Sequence, residues 1–515
     1  MAQHHHKESD IFIKEAEGHQ RRYYKILELT HSTTKAAGVM LLGAIVALIV
    51  ANTAFHEQFY EFWHTELMLG FGESHVEMSL AHIINDILMA IFFLLVGLEI
   101  KYEMTVGELR DIRQAILPVG AAIGGVLMPI VVYMSFNVGN PDTIMGWGVP
   151  TATDIAFALG ILALLGSRVP AGVRVFLSTL AVADDIVAIL VIAIFYGQSP
   201  SLFWLGAAAV VLIVLIIMNR THMYSLLLYL LVGAVLGYCI FMSGVHSTIA
   251  GVLLAFVIPS SSRVRLKKFA NWSTERVKEA NENFEPSQPI IGQTDYLASV
   301  TRLERVARQV VPPATRLERR LYPWVYFAIL PLFALTNADV GFTAANPGDI
   351  MGNSIFLGVF FGLVLGKPIG VMLMSFIIVK TKLSSLPENV NWAHMLGAAL
   401  LGGVGFTMAI FVANLAFVDP ADIMIAKVAI LAASLVAGVA GFCFLFVQAK
   451  AASLKGLRFE MKLPSLSNLQ THGAHEAERR YKRDHQQADA EIGAEVEAEL
   501  KAGERKMHEE ESMRS

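Results

Sequence analysis

The sequence predicts an all-α polytopic membrane protein, and three observations carry that prediction. The 515 residues are 55% hydrophobic and only 16% charged, where a soluble protein carries about 25% charged residues. Mean hydropathy is +0.53. The apolar residues come in long runs that do not alternate, which argues against a β-barrel. Each run must be helical, because lipid satisfies no backbone polar group.

A span needs about 20 largely apolar residues, and twelve runs approach that: 36–54, 83–100, 115–136, 145–166, 172–196, 202–218, 224–242, 245–259, 321–338, 351–379, 393–417 and 421–448. The loops between them give direction. Residues 55–82, 137–144, 197–201, 242–245, 339–350 and 418–420 hold no Lys or Arg. The alternate loops hold Lys101, Arg110 and Arg113; Arg168 and Arg174; Arg220; a strongly basic 260–320 segment; and Lys380 with Lys382. By the positive-inside rule both termini are cytoplasmic.

Outside the spans, residues 1–32 form a polar cytoplasmic segment. Its start, "MAQHHHKESD", lacks the charged-then-apolar plan of a signal peptide. Residues 66–79, "ELMLGFGESHVEMS", place two short alternating runs around Gly70 and Gly72, the pattern of a small external hairpin. The 260–320 loop carries "TRLER" twice, at 301–305 and 315–319, on a basic amphipathic stretch suited to the anionic inner leaflet. The membrane domain thus runs over 33–449. Residues 450–515 follow as a charged cytoplasmic tail with one narrow stripe, Ile492, Val496 and Leu500, of the kind that is disordered or helical. Cys239 and Cys443 lie in apolar runs and offer neither a disulfide framework nor metal-ligand spacing. No cofactor and no nucleic-acid partner is expected.

The functional signal is charge where charge is costly. "LAVADDIVAILVIAIFY" puts Asp184 and Asp185 side by side in an apolar run, at a cost of roughly 3 kcal/mol or more per charge. The other ionisable residues within spans are Asp86, Asp154, His246, Lys367 and Lys427, with Glu99 at an inner end. For Lys427 and Asp86 a structural ion pair or a water-facing helix end is the simpler reading. Counted from the end at which each span enters, Asp185 lies roughly 20 Å deep, Asp154 about 14 Å and Lys367 roughly 24 Å, so these groups can meet.

Two spans carry breaks. The fourth reads "GWGVPTATDIAFALG", where Pro150 lacks an amide hydrogen and Thr151 and Thr153 supply hydroxyls. The eleventh reads "LLGGVGFTMAI", with Gly402, Gly403 and Gly405 together. Two broken spans of opposite direction suggest crossed half-helices. Their exposed ends need counter-charges, and Asp154 and Lys367 are available. The donor set is all oxygen, which suits a hard cation. A buried carboxylate that binds either a proton or such a cation couples the two fluxes.

These stretches, together with "INDILMAIFFLLVGLEIK", "SGVHSTIAGVLLAF", "LPLFALTNADV" and "LGKPIG", resemble the NhaA family of bacterial sodium/proton antiporters over residues 33–448. The resemblance implies twelve helices with inverted-topology repeats, an arrangement for which this family is itself a standard instance, and crossed, broken fourth and eleventh helices. It implies electrogenic export of Na+ or Li+ against a larger number of protons in a multi-pass protein of the bacterial inner membrane, serving sodium and pH homeostasis. Asp185 would be the principal cation and proton ligand, with Asp184, Thr153 and Asp154 beside it. Lys367 would pair with Asp184, and Asp154 would offset half-helix charge. Asp86, His246, Gly402, Gly403 and Gly405 would support the site. Glu99, Glu103, Arg316 and Glu318 match a pH-sensing cluster at the cytoplasmic funnel, although Tyr102, Arg319 and Tyr322 depart from its usual residues. Hairpin 66–79 would join a homodimer. Two rivals fit poorly. A symporter of organic anions wants basic residues beyond Lys367. An intramembrane aspartyl protease needs its two carboxyls on different elements, whereas Asp184 and Asp185 share one helix.

Overall fold

The computed structural model describes residues 32–71, 74–197, 200–221, 223–262, 266–340 and 350–454. The expected N-terminal segment 1–32 and tail 450–515 lie almost wholly outside that range. The described chain is mostly helical. The first apolar run forms α1 (Thr33–Ala51), started by Ser32, whose hydroxyl accepts from the Lys35 amide. A short helix, His56–His64, follows it. Strands β1 (Glu66–Phe71) and β2 (Ser74–Ser79) pair antiparallel with Glu66 opposite Ser79. Then come α2 (Leu80–Thr105), α3 (Ile112–Asn137), α4 (Ile144–Leu164), α5 (Ala171–Phe195) and α6 (Leu202–Arg220). Helices α7 (Leu226–Met242) and α8 (Thr248–Val257) are shorter.

By length and composition, eight helices among the described residues are able to cross a membrane, or nine if the bent pair α11 (Trp392–Gly402 and Phe406–Ala416, 45° apart) is one span. α8 falls well short of the expected 245–259. Its amino end is taken by a turn at Gly244, whose φ of +81° suits glycine, and Pro259 lies just past its other end. α9 runs continuously over 313–337 and begins earlier than expected, with Pro313 in its first turn. The second "TRLER" therefore belongs to α9. The first lies on Thr294–Val310, which packs beside Leu266–Glu282. Within the 260–320 segment, residues 266–282, 294–310 and 313–320 are thus helical. α10 (Ser354–Lys380) and α12 (Pro420–Leu454) complete the set.

Packing sorts these helices into two groups. One apolar cluster draws Leu117 from α3, Leu162 from α4, Leu177 from α5, Val371 from α10, Ala398 from α11 and Leu445 from α12. A second draws Leu98 from α2, Leu215 from α6, Leu236 from α7, Leu254 from α8 and Leu317 from α9. A third cluster bridges them through α1, α2, α9, α11 and α12. Glycines let each group close tightly, as membrane helices require. A Cβ on Gly370 of α10 would lie 2.0 Å from the Gly124 carbonyl oxygen of α3. One on Gly251 of α8 would lie 2.2 Å from the Ala90 carbonyl oxygen of α2.

Candidate functional site

α4 is a 3-10 helix over Ile144–Thr151, extended at 152–154, and α-helical over Ile155–Leu164. Pro150 and the two threonines explain the change of winding. α11 ends its first half at Gly402 and restarts at Phe406. The glycines allow close approach: a Cβ on Gly405 would sit 3.0 Å from the Ala152 carbonyl oxygen at the α4 break, and one on Gly403 only 2.5 Å from the Leu363 carbonyl oxygen of α10. The Asp154 amide donates to the Val404 carbonyl at 2.7 Å. The Thr153 hydroxyl reaches the Gly402 carbonyl at 2.9 Å.

The broken ends are met by side chains of opposite sign. Asp154 Oδ1 accepts from the Phe157 amide at 3.0 Å, capping the second half of α4. Its Oδ2 accepts from the Thr407 amide at 3.1 Å and from the Thr407 hydroxyl at 2.5 Å, capping the second half of α11. One carboxylate thus faces two positive helix ends. Ser434 of α12 accepts from the Phe406 amide at 3.1 Å and satisfies another exposed donor. Lys367 serves the negative end: its ammonium donates to the Thr151 carbonyl, where the 3-10 segment stops. It is delivered there by a π-helical turn, Gly362–Gly366, directly before it. Pro368, next in sequence, has no amide to donate.

Asp184 and Asp185 enter from α5, and both are at most 2% exposed. Asp184 Oδ2 lies 2.8 Å from Lys367 Nζ and accepts from the Thr153 hydroxyl at 2.7 Å. That hydroxyl has one proton for two acceptors, Asp184 and Gly402. Asp184 Oδ1 and Asp185 Oδ1 are buried without a hydrogen-bond partner among the described residues. Asp154 and Glu99 lie within electrostatic range of Asp185. The result is a buried cluster of oxygen donors with two carboxylate oxygens uncommitted among the described residues, one lysine and two capped helix breaks. Oxygen donors of this kind suit a small hard cation or protons.

The structure therefore gathers Asp184, Asp185, Asp154, Thr153, Lys367 and the Gly402–Gly405 break. Asp86 and His246 stand apart. Asp86 lies in a π-helical turn of α2, 2.9 Å from His82, and its carbonyl accepts from Ser247. His246 Nε2 is 2.7 Å from the Tyr196 carbonyl at the end of α5. The expected cytoplasmic cluster divides. Glu99 is 3.5 Å from the Tyr326 hydroxyl and within electrostatic range of Glu103 and Glu318. Arg316 instead reaches the Tyr224 carbonyl at 3.4 Å, between α6 and α7. Lys427, read above as structural, lies within electrostatic range of Asp339. Burial raises the Asp339 carboxyl above its ordinary pKa of 3.8, with His56 and Lys427 acting the other way.

Sequence reasoning passed over Thr407 and Ser434. A hydroxyl one residue past the start of a half-helix, in "GFTM", was the available signal for the first.

The family model described as Na+/H+ antiporter 1 matches residues 28–445. The Na(+)/H(+) antiporter NhaA of Wolinella succinogenes is 40% identical over 425 residues, covering 82% of this chain and 93% of that protein. The protein of the same name from Helicobacter pylori is 42% identical over 418 residues, covering 81% and 94%. Na(+)/H(+) antiporter NhaA 1 of Saccharophagus degradans is 41% identical over 431 residues, covering 83% and 93%. These relatives are named as transporters rather than enzymes. Among solved structures, the sodium proton antiporter MjNhaP1 of Methanocaldococcus jannaschii aligns with 86% of this chain at 13% identity and a TM-score of 0.37, too loose a likeness to carry an argument.

Proposed function

The chain belongs to the Na+/H+ antiporter 1 family, and from that premise we propose that it exports Na+, or Li+, in exchange for protons taken up across the bacterial inner membrane. The observation that carries this is the pair of uncommitted, buried carboxylate oxygens on Asp184 and Asp185, held beside Lys367 and two helix breaks. Asp185 binds either a proton or a dehydrated Na+, and this competition links the two fluxes. Asp184 offers its free Oδ1 to the cation while Oδ2 stays with Lys367 and Thr153. More than one proton enters per Na+, so exchange is electrogenic. The second proton is taken by Asp184 of the Asp184–Lys367 pair, on the Oδ1 that Na+ vacates, while Oδ2 stays with the Lys367 ammonium. Asp154 holds the breaks in α4 and α11 together so that the site keeps its shape as it faces one side and then the other by alternating access.

The wider arrangement belongs to the same reading. Twelve spans with crossed fourth and eleventh helices, both termini cytoplasmic, surround the site. β1 and β2 join a homodimer outside the membrane. Glu99, Glu103 and Glu318 sense cytoplasmic pH, with Arg316 anchoring the start of α9 nearby. Asp86 and His246 brace α2, α5 and α8 around the site.

The test is Na+-dependent dissipation of a pH gradient in vesicles containing only this protein. Wild type should exchange. Asp185→Asn, which keeps the shape but removes the ionisable ligand, should fold and lose exchange. Exchange by Asp185→Asn at the wild-type rate would overturn the assignment.

A further inference from the structure

We propose that Asn414 and Asn337 form a latch that joins the two helix groups at the external end of the molecule and must part whenever the ion site opens outward. This rests on the alternating-access reading above and on the loop charges that define the external side.

Asn337 is the last residue of α9 and is 3% exposed. Its Nδ2 donates to Asn85 Oδ1 of α2 at 2.7 Å and to the Phe333 carbonyl at 3.1 Å. Its Oδ1 accepts from Asn414 Nδ2 of α11 at 2.7 Å. Asn85 and Asn337 sit on helices of the second group, and Asn414 sits on the second half of α11, which packs on α4 and α12 of the first. The Asn414 bond therefore crosses between groups, while the Asn85 bond stays within one. All three residues lie within a few positions of loops 55–82, 339–350 and 418–420, which lack Lys and Arg. The bond from His246 to the Tyr196 carbonyl crosses between the groups at the same end. Asp339, two residues beyond Asn337, lies 3.3 Å from His56.

The chemistry suits a contact that opens and closes. A neutral amide pair is directional, yet far cheaper to part than a buried ion pair such as Lys367–Asp184. Each amide can take water as a partner once separated. The connection to the site is short. Asn414 lies seven residues after Thr407 on one half-helix, so both share a face about 10 Å apart. Thr407 holds Asp154 at one end, and Asn414 holds Asn337 at the other. Movement of that half-helix would change both contacts together.

The test is the apparent Km for Na+ at each face, measured in right-side-out and everted membrane vesicles for wild type, Asn414→Ala and Asn85→Ala. Loss of the latch favours the outward-open state. Asn414→Ala should therefore lower the external Km and raise the cytoplasmic one, changing their ratio roughly three- to tenfold. Asn85→Ala should leave the ratio within about twofold of wild type, because its bond lies inside one group. If Asn414→Ala does not accumulate, Asn414→Ser is judged by the same ratio. An unchanged ratio in the Asn414 variant, or an equal shift in Asn85→Ala, would overturn the latch. Absence of exchange in wild type would instead overturn the antiport reading.

Discussion

The two helix groups close in the same way and carry very different charge. In each, a glycine lets one backbone meet another: Gly370 against Gly124 in the first, Gly251 against Ala90 in the second. The first group then sinks Asp154, Asp184, Asp185 and Lys367 into its middle, each nearly inaccessible. The second keeps its ionisable groups towards its ends, with Asp86 near one end of α2 and Glu99, Lys101 and Glu103 near the other. Lys101 shows how such an end charge is absorbed, donating to the Phe256 carbonyl at 2.7 Å and to its neighbours where α8 stops. The difference teaches that close helix packing alone gathers no buried charge. What distinguishes the first group is the pair of breaks in α4 and α11, which expose backbone charge that buried side chains must answer.

The largest effect expected from probing that difference is at Lys367. Removing one partner of a buried ion pair costs about 3–5 kcal/mol, so Lys367→Ala should lower thermal stability markedly. Adding Asp184→Asn should recover part of the loss. Strictly additive stabilities in the double variant would argue that the 2.8 Å pair contributes nothing as a pair.

Thr407 is a smaller test of the same group. Thr407→Val removes a hydroxyl from Asp154 and leaves the shape, at a cost of about 1.5–3 kcal/mol for a hydrogen bond to a charged group. Na+ affinity should fall along with stability, because Asp154 ties the two breaks. A stable variant with unaltered Na+ binding would separate the breaks from the site.

The smallest effect on the ion is expected in the second group. Gly251→Ala overpacks α8 against α2 and should cost about 1–3 kcal/mol of stability. Its Na+ affinity should nevertheless stay within about twofold of wild type, since changes without shared partners add independently. A large loss of affinity there would show that the second group shapes the site and would erase the contrast.

The contrast also explains what was legible in the sequence. Asp154, Asp184, Asp185 and Lys367 stand out because a charge inside an apolar run has so few uses, and both breaks announce themselves through Pro150 and the Gly402–Gly405 cluster. Thr407, Asn337 and Asn414 are neutral, and a hydroxyl or amide in a hydrophobic helix is too common to single out without its partner. Helix ends were legible only where loop chemistry marked them. The turn at Gly244 shortens α8, and Pro313 starts α9 inside a segment whose basic composition reads as loop. Arg316 could not be placed from sequence, because the Tyr224 carbonyl it meets belongs to a link almost a hundred residues earlier.

The central claim is that a proton and Na+ compete for Asp185. Equilibrium Na+ binding to the purified protein, measured across pH, tests it most directly. The account predicts that on the acidic side Na+ affinity weakens by about tenfold to a hundredfold per pH unit, since one proton must leave Asp185 and a second the Asp184–Lys367 pair before the cation binds. It also predicts that proton release accompanies binding and that both disappear in Asp185→Asn. A Na+ affinity that stays flat with pH, or one that Asp185→Asn preserves, would contradict it.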